Sequence, residues 1–524
     1  MKADSPTNDE PVDLGDGYYY WLGDVISDIR HPPFAKALQG LPLHFTRLES
    51  KIGTRAMTYE GRDAYFLFGL NRDRFEGMVA AGRWVTLLFG LVLGWLLWRI
   101  TRQGSMVLCF LTLAFWAFEP NLLAFSGLVL SDIPFTCCFL GAVWGFQRAL
   151  EKPGLSRALW AGFFSGLAVT CKFSGALLAG VFLVLELVRR WDAGKGRGPK
   201  PEKIQAVFSR WAAGFLASAL WIFVLYLPGT VKMPGHPWPF HFFWDGFSSM
   251  AGYSGHPVFF KGVLAPLFYW DYYPTAFLLK SPFSFLILLA LVFSLALLRK
   301  IQLPAWQWIP PILFFLAMLP FHQIGIREIL AVYPFFILLA ARGGEWLWQE
   351  KSRWGAVTVG ALLVFQVASV GLSFPRHISY FNELIPPDKK SYWLGDSNLD
   401  IGQDVKRLAK TAEERGWGKV KLAYFGSADP RLYGMDWDYW RESDLAGPQP
   451  GWVYVVNDAF FQLGPAFLRK ADRISKGWIS EMPPTGRIGD TWYYFEIPGR
   501  PNLKDSSRVL TSAPFFMTLD RLNQ

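Results

Sequence analysis

Between residues 78 and 374 the chain is a succession of apolar runs, each close to the length of a bilayer span, separated by short charged connections. That pattern leaves few folds open. A hydrocarbon core of roughly 30 Å takes about 20 helical residues, and only a helix or a closed barrel satisfies every backbone group inside it. The runs are continuous and rich in Leu, Phe and Ala, without the period-two alternation of barrel strands, so helices are expected. Charged residues make up 18% of the 524 positions, against about 25% in soluble domains, and most of the deficit lies in this region.

The expected spans are 78–99, 106–130 (broken near Glu119-Pro120), 133–150, 158–171, 173–188, 211–227, 282–298, 304–320, 328–346 and 355–374. Arg189, Arg190, Lys195, Arg197, Lys200, Lys203 and Arg210 crowd one connection, as cytoplasmic loops do under the positive-inside rule. Counting outward from it puts Arg99 with Arg102, Arg148 with Lys152 and Arg157, Arg299 with Lys300, and Lys351 with Arg353 on the same side. That agreement supports ten spans. It also accounts for the +10 net charge without a nucleic-acid partner. Cys109, Cys137, Cys138 and Cys171 fall within or beside apolar runs and show no metal-ligand spacing, which reads as packing rather than a disulfide framework.

Three larger pieces fall on the opposite, extracytoplasmic side: a first loop over 1–77, an aromatic loop over 230–281 inside the helical domain of 78–374, and everything from 375 to 524. The last piece reads as a soluble α/β domain, with an amphipathic helix over 403–414 and strands over 420–425, 452–456 and 492–497 among Gly, Pro and Asp turns. No internal repeat is visible. The fold class expected is an α-helical polytopic membrane protein of about ten transmembrane helices with a C-terminal soluble α/β domain. A further first helix is expected ahead of the acidic start of this sequence.

The chemistry is expected where polar residues collect at the outer ends of the spans. The first loop carries Asp9-Glu10, Asp24, Asp28, Arg30-His31-Pro32-Pro33 and Lys36; later connections bring Ser131-Asp132, Lys172 and Arg327-Glu328 to the same depth. Charges at helix ends within a bundle are costly, and they are usually functional or paired. Separate carboxylates can orient and activate a hydroxyl, and Lys172 with Arg327 can neutralise a phosphate. A sugar phosphate already has a good leaving group, so one carboxylate base with cationic phosphate clamps is a sufficient set. Each residue also has a plainer reading. Asp132 suits a helix N-cap, Lys172 and Arg327 suit snorkelling helix ends, and His31 before Pro-Pro suits a turn. Trp238, Trp244, Tyr253, Trp270, Tyr272 and Tyr273 form either an interface belt or a sugar- or lipid-contacting surface. The run 395–404 is either a turn with a helix cap or an acceptor contact.

Eight stretches then appear in a fixed order: DEP with GYYYW and GD after it, RHPPFAK, EPNLLAFSGLVLSDIP, GLAVTCKFSG, FLLKSPF, GIREILAVYPF, YFNEL and GDSNLDIGQDVKRLA. In these the chain resembles the GT-C superfamily of membrane glycosyltransferases, in the bacterial branch similar to protein O-mannosyltransferases and aminoarabinose transferases. The resemblance covers nearly the whole chain. It implies a first transmembrane helix ahead of the acidic motif, giving eleven, and an inverting, mannosyltransferase-like transfer from a polyprenyl-phosphate-linked sugar to an acceptor protein, lipid or glycan. It places the enzyme in the bacterial inner membrane, with the active site and C-terminal domain outside the cytoplasm. By position it implies Asp9 as the catalytic base with Glu10 beside it, Asp132 near acceptor or sugar, and His31, Lys36, Lys172 and Arg327 around the donor phosphate. Relatives often carry Trp at the place of Ile401 and His at that of Glu328. No cofactor is implied with certainty; a divalent cation is left open, and no metal site is read.

Three other readings stand beside it. A secondary transporter would show inverted repeats and helices broken near mid-membrane, whereas here polar residues gather at one face. A non-catalytic scaffold would have no need of Asp9 and Asp132. An oligosaccharyltransferase-like enzyme with a lipid-pyrophosphate donor would carry a WWD-type segment, which is absent.

Overall fold

The computed structural model describes residues 4–23, 28–50, 59–196, 203–230, 238–252, 258–265, 269–321, 323–350, 353–424, 426–458, 461, 477–500 and 509–510. Asp24 and Tyr253 lie outside these residues, as do Arg197 and Lys200 of the basic connection.

The first loop is helical. α1 (Glu10–Trp21) and α2 (Pro33–Gly40) each carry Pro in the first turn, where its missing N–H costs nothing. They cross at glycines: a Cβ on Gly17 would come within 1.9 Å of the Lys36 carbonyl oxygen, and one on Gly40 within 2.2 Å of the Gly17 carbonyl carbon. The pair packs on the N-terminal end of α3 (Phe75–Thr101).

The long apolar stretches follow as α4 (Met106–Ala117), α5 (Pro120–Ser126), α6 (Asp132–Glu151), α7 (Leu155–Cys171), α8 (Leu177–Gly194) and α9 (Ile204–Thr230). α4 and α5 meet at 56°, at the break expected near Glu119-Pro120. There the Glu119 carboxylate accepts from the Leu122 amide at 2.6 Å, capping α5. α6 is buried along most of its length and is the central post, contacted by α3, α7 and α8. By contrast, α9 turns Phe208, Phe215, Leu216, Leu220 and Leu227 outward, an apolar face suited to lipid.

The aromatic loop contains α10 (Pro239–Ala251) and a hairpin of β1 (Val258–Phe260) and β2 (Val263–Ala265). Tyr272 and Tyr273 are buried, whereas Trp238, Trp244 and Trp270 are exposed. α11 (Tyr272–Lys280) turns by 117° into α12 (Phe283–Leu297). α13 (Ala305–Met318), α14 (Tyr333–Gln349) and α15 (Arg353–Leu372) complete the helical part, with a 3₁₀ turn at Ile326–Val332 leading into α14. Among the described residues three helices are long and apolar enough to cross a membrane, or up to five if each bent pair is one span. The remaining expected spans are helical but shorter or more polar, so length and composition do not carry the count to ten.

The C-terminal part holds α16 (Val405–Glu414) and a six-stranded sheet made of β3 (Val420–Ala423), β4 (Asp438–Arg441), β5 (Val453–Asn457), β6 (Gly486–Ile488), β7 (Trp492–Glu496) and β8 (Val509–Leu510), in the order β6-β7-β5-β3-β4-β8. β3 runs parallel to β4 and β5; the outer pairs are antiparallel. Its core includes a buried pair, Lys421 Nζ 2.7 Å from both Asp444 oxygens, with the Tyr454 hydroxyl donating to the same carboxylate at 2.6 Å.

Segment 395–404 joins the two parts. Lys280 Nζ donates to the Asn398 and Ile378 carbonyls at 2.6 and 2.7 Å. Asn398 Oδ1 accepts from the Ile326 amide at 2.9 Å, and Ser397 bonds the Ile324 carbonyl through backbone and hydroxyl. The start of the chain docks on the same segment: Ser5 and Asn8 amides donate to the Gln403 and Ile401 carbonyls.

Candidate active site

Four segments far apart in sequence place their charges in one row. Asp9 stands at the N-cap of α1 without capping it, and its Oδ2 is 2.7 Å from Arg327 Nη1. Arg327 Nε faces Glu328 Oε1 at 3.7 Å, and Glu328 Oε2 is 3.3 Å from Lys172 Nζ. Lys172 in turn lies 2.5 Å from Asp132 Oδ1. The row therefore reads Asp9, Arg327, Glu328, Lys172, Asp132.

Local structure explains each placement. Ser131, not Asp132, stands at the N-cap of α6; Asp132 is the first residue of the helix, and its carboxylate reaches Lys172. Lys172 ends α7 in an extended conformation, which lifts its side chain out of the helix line. Arg327 and Glu328 sit on the 3₁₀ turn whose first amide is held by Asn398.

Exposure grades along the row. Asp132 is 2% exposed, whereas 40% of the Asp9 side chain is open. Burial among protein atoms would raise the Asp9 carboxyl, but the charge and hydrogen bond of Arg327 outweigh it and hold Asp9 below the usual carboxylate range. Arg327 Nε is buried and has no hydrogen-bond partner among the described residues, so the guanidinium keeps a donor in reserve.

The remaining sequence candidates fall elsewhere. Glu10, next to Asp9, is fully buried and points the other way. It receives Arg83 Nε and Nη2 at 2.7 and 2.6 Å and the Thr7 and Val129 amides at 2.8 Å each. All its acceptor capacity goes to tying the first loop to α3 and to the turn before α6. Lys36 is also enclosed, 2.9 Å from Asp16 and 3.2 Å from Asp13, while Arg62 bridges Asp16 and Asp63. Its charge is thus already met by carboxylates. Within this second cluster, burial pushes Asp13 up to about 7 in spite of Lys36. His31 lies near both Asp9 and Arg327 and is 57% exposed. Crowding by protein and then the Lys36 charge push its imidazole down to about 4, a push tempered by that exposure, so it is neutral at pH 7.

Two residues of the site were given no role of their own from the sequence. Glu328, placed by sequence among the outer charges and as a departure from relatives, bridges both cations. Asp396 adopts a left-handed φ of 53°, unusual for a residue other than glycine, and its carboxylate accepts from the Ser397 amide at 2.6 Å. Burial raises it to about 6 against the pull of Arg327, whose field it shares with Asp9. Its signal in sequence was the run GDSNLD. Among the described residues no group of three or more His, Cys, Asp or Glu is arranged to hold a metal ion.

Residues 75–195, from α3 into α8, match the dolichyl-phosphate-mannose-protein mannosyltransferase family. The chain resembles the GT-C membrane glycosyltransferases. The matched segment contributes Asp132 and Lys172 to the row. No curated protein matches the chain. Among solved structures it aligns with ArnT from Cupriavidus metallidurans in the apo state at 13% identity, over 94% of each chain, with a TM-score of 0.47. The same protein bound to undecaprenyl phosphate aligns at 11% identity over 94% of this chain and 95% of that one, with a TM-score of 0.46. With its apolar helices, the chain reads as a multi-pass membrane protein whose residues 75–195 are similar to a mannosyltransferase family.

Proposed function

We propose that the row of charges transfers a sugar from a polyprenyl-phosphate carrier to an acceptor hydroxyl, at the extracytoplasmic face of a bacterial inner membrane. The observation that carries this reading is the contact of Asp9 with Arg327: an exposed carboxylate sharing a guanidinium that retains a buried, unpartnered donor. In a direct displacement the acceptor oxygen attacks the anomeric carbon while the bond to the phosphate oxygen breaks, with inversion. Asp9 Oδ1, which accepts from Asn8 Nδ2 at 3.3 Å, takes the hydroxyl proton. Arg327 and Lys172 receive the departing lipid phosphate, which carries away the electron pair. Asp132 holds Lys172 in place and orients the sugar or the acceptor. Glu10 and Lys36 act at one remove, fixing α1 and α2 so that Asp9 and His31 face the site. The match to mannosyl-transferring proteins over 75–195 supports a sugar-phosphate donor; a mannosyl donor and a protein acceptor are the first pair to try.

The test is radiolabel transfer from polyprenyl-phosphate sugars in membranes carrying the wild type or Asp9→Asn. A general base contributes about 10²–10⁴-fold. Transfer should disappear in the variant while carrier binding persists. Retention of more than about a tenth of the rate would remove Asp9 from the role of base.

A further inference from the structure

Glu328 occupies a peculiar place in the row. It lies between the two cations that would meet a phosphate, 3.7 Å from Arg327 Nε and 3.3 Å from Lys172 Nζ, with its side chain 15% exposed. Each cation also has a carboxylate of its own, Asp9 on Arg327 and Asp132 on Lys172. Three carboxylates on two cations leave the row one negative charge in excess, and Asp396 adds to the field at Arg327. An anion entering here competes with carboxylates for both cations. A phosphodiester brings one negative charge to that competition, and a pyrophosphate diester brings two. Repulsion grows with the product of the charges, and it is felt most strongly from the carboxylate between the receiving groups.

We propose that Glu328 is a specificity-determining residue that restricts the two-cation clamp to carriers with a single phosphate. The proposal rests on the glycosyl-transfer reading above and deepens it. Asp9 and Asp132 lie at the ends of the row and each forms an ion pair with one cation, although the Asp132 charge also acts on Arg327. Glu328 alone among the three forms ion pairs with both. Replacing it with a neutral side chain removes the excess charge without removing either cation.

The experiment measures displacement of a labelled polyprenyl monophosphate from the full chain in nanodiscs by unlabelled polyprenyl mono- and pyrophosphate of equal chain length. The wild type should prefer the monophosphate. Glu328→Gln should lose about tenfold of that preference, the size of a Coulomb repulsion over ~5 Å discounted for salt and partial exposure, and the change should come from tighter pyrophosphate binding. Glu328→Asp, which keeps the charge, should keep the preference. An unchanged ratio in Glu328→Gln, or an equal weakening of both lipids, overturns the proposal, because a merely structural role moves the two together. Failure of the underlying reading looks different: Arg327→Ala would then leave monophosphate binding untouched with Glu328 intact, and the proposal would fall with it.

Discussion

Neighbouring acids at the start of α1 should respond to substitution in opposite ways, and the structure sets the sizes. Glu10 is fully buried and accepts two charge-assisted bonds from Arg83, itself 3% exposed. Bonds to charged groups contribute about 1.5–3 kcal/mol each, and removing one partner of a buried ion pair costs about 3–5 kcal/mol, because the other charge is stranded. The two estimates agree. In Glu10→Ala, Arg83 would keep the Asp4 and Ser5 carbonyls but lose its counter-ion, and the Val129 amide would lose its acceptor. Glu10→Gln should cost about half as much, since one oxygen still accepts while the amide opposes the guanidinium. Thermal unfolding in detergent or nanodiscs should show Tm falling by several degrees for Gln and further for Ala. Any folded fraction should still bind carrier and turn over at a rate near that of the wild type. Asp9→Asn should show the reverse, an unchanged Tm with lost turnover. A Glu10→Gln protein with wild-type Tm and turnover reduced more than about 100-fold, the range of a lost general base, would refute the reasoning and return Glu10 to the chemistry.

Two further outcomes follow from the cluster beneath α1. The Asp13 carboxyl is raised from 3.8 to about 7, so between those values the folded chain holds a proton that the unfolded chain has shed, and stability should fall as pH rises through that window; Asp13→Asn should flatten this slope in Tm measured from pH 4 to 8. Gly17→Ala would drive a methyl into the Lys36 carbonyl at 1.9 Å, where backbone cannot yield cheaply, so α2 must shift and Tm should drop by an overpacking cost of about 1–3 kcal/mol or more.

Much of the site was legible because the bilayer constrains where charge can go. Asp132, Lys172 and Arg327 sit at the ends of apolar runs, and ends on one side share a depth, so their convergence follows from the run boundaries, whereas Asp9 in the first loop joins them only through the resemblance. The break at Glu119-Pro120 and the strands near 420, 453 and 492 carried equally local signals. What escaped was direction. Asp9 and Glu10 are adjacent and chemically alike, yet one precedes α1 and the other opens it, and that step turns one carboxylate to Arg327 and the other to Arg83. The helices themselves were hidden by acids and tyrosines that suggested a polar loop, although Pro11 and Pro33 each marked a first turn. Lys36, three residues into α2, was read as a phosphate ligand from the resemblance; its place opposite Asp13 and Asp16 depends on how closely two glycines let the helices approach. Segment 395–404 was opaque for another reason. Its work is to satisfy backbone groups of 5–8, 324–326 and Lys280, partners that no local pattern names.

The position of Arg327 poses the sharper question of how it could accelerate the proposed reaction at all. A guanidinium paired with Asp9 before transfer and with phosphate after it meets a full negative charge at both ends of the path. Interactions equal in ground and transition states lower no barrier. The pairing with Asp9 even works against the base, since it holds that carboxylate in its ionised, weakly basic form. The gain must come from a contact that exists only as charge builds on the phosphate. Arg327 Nε meets that requirement: it is buried, without a partner, and its nearest carboxylate oxygen at 3.7 Å is too far for a hydrogen bond. A donor left unsatisfied in the resting site costs stability there, and that cost is relieved when the leaving oxygens arrive. The carboxylate beside Nε is that of Glu328, so the residue proposed to set how much phosphate charge the clamp admits also stands beside a hydrogen-bond donor that can distinguish the transition state from the ground state.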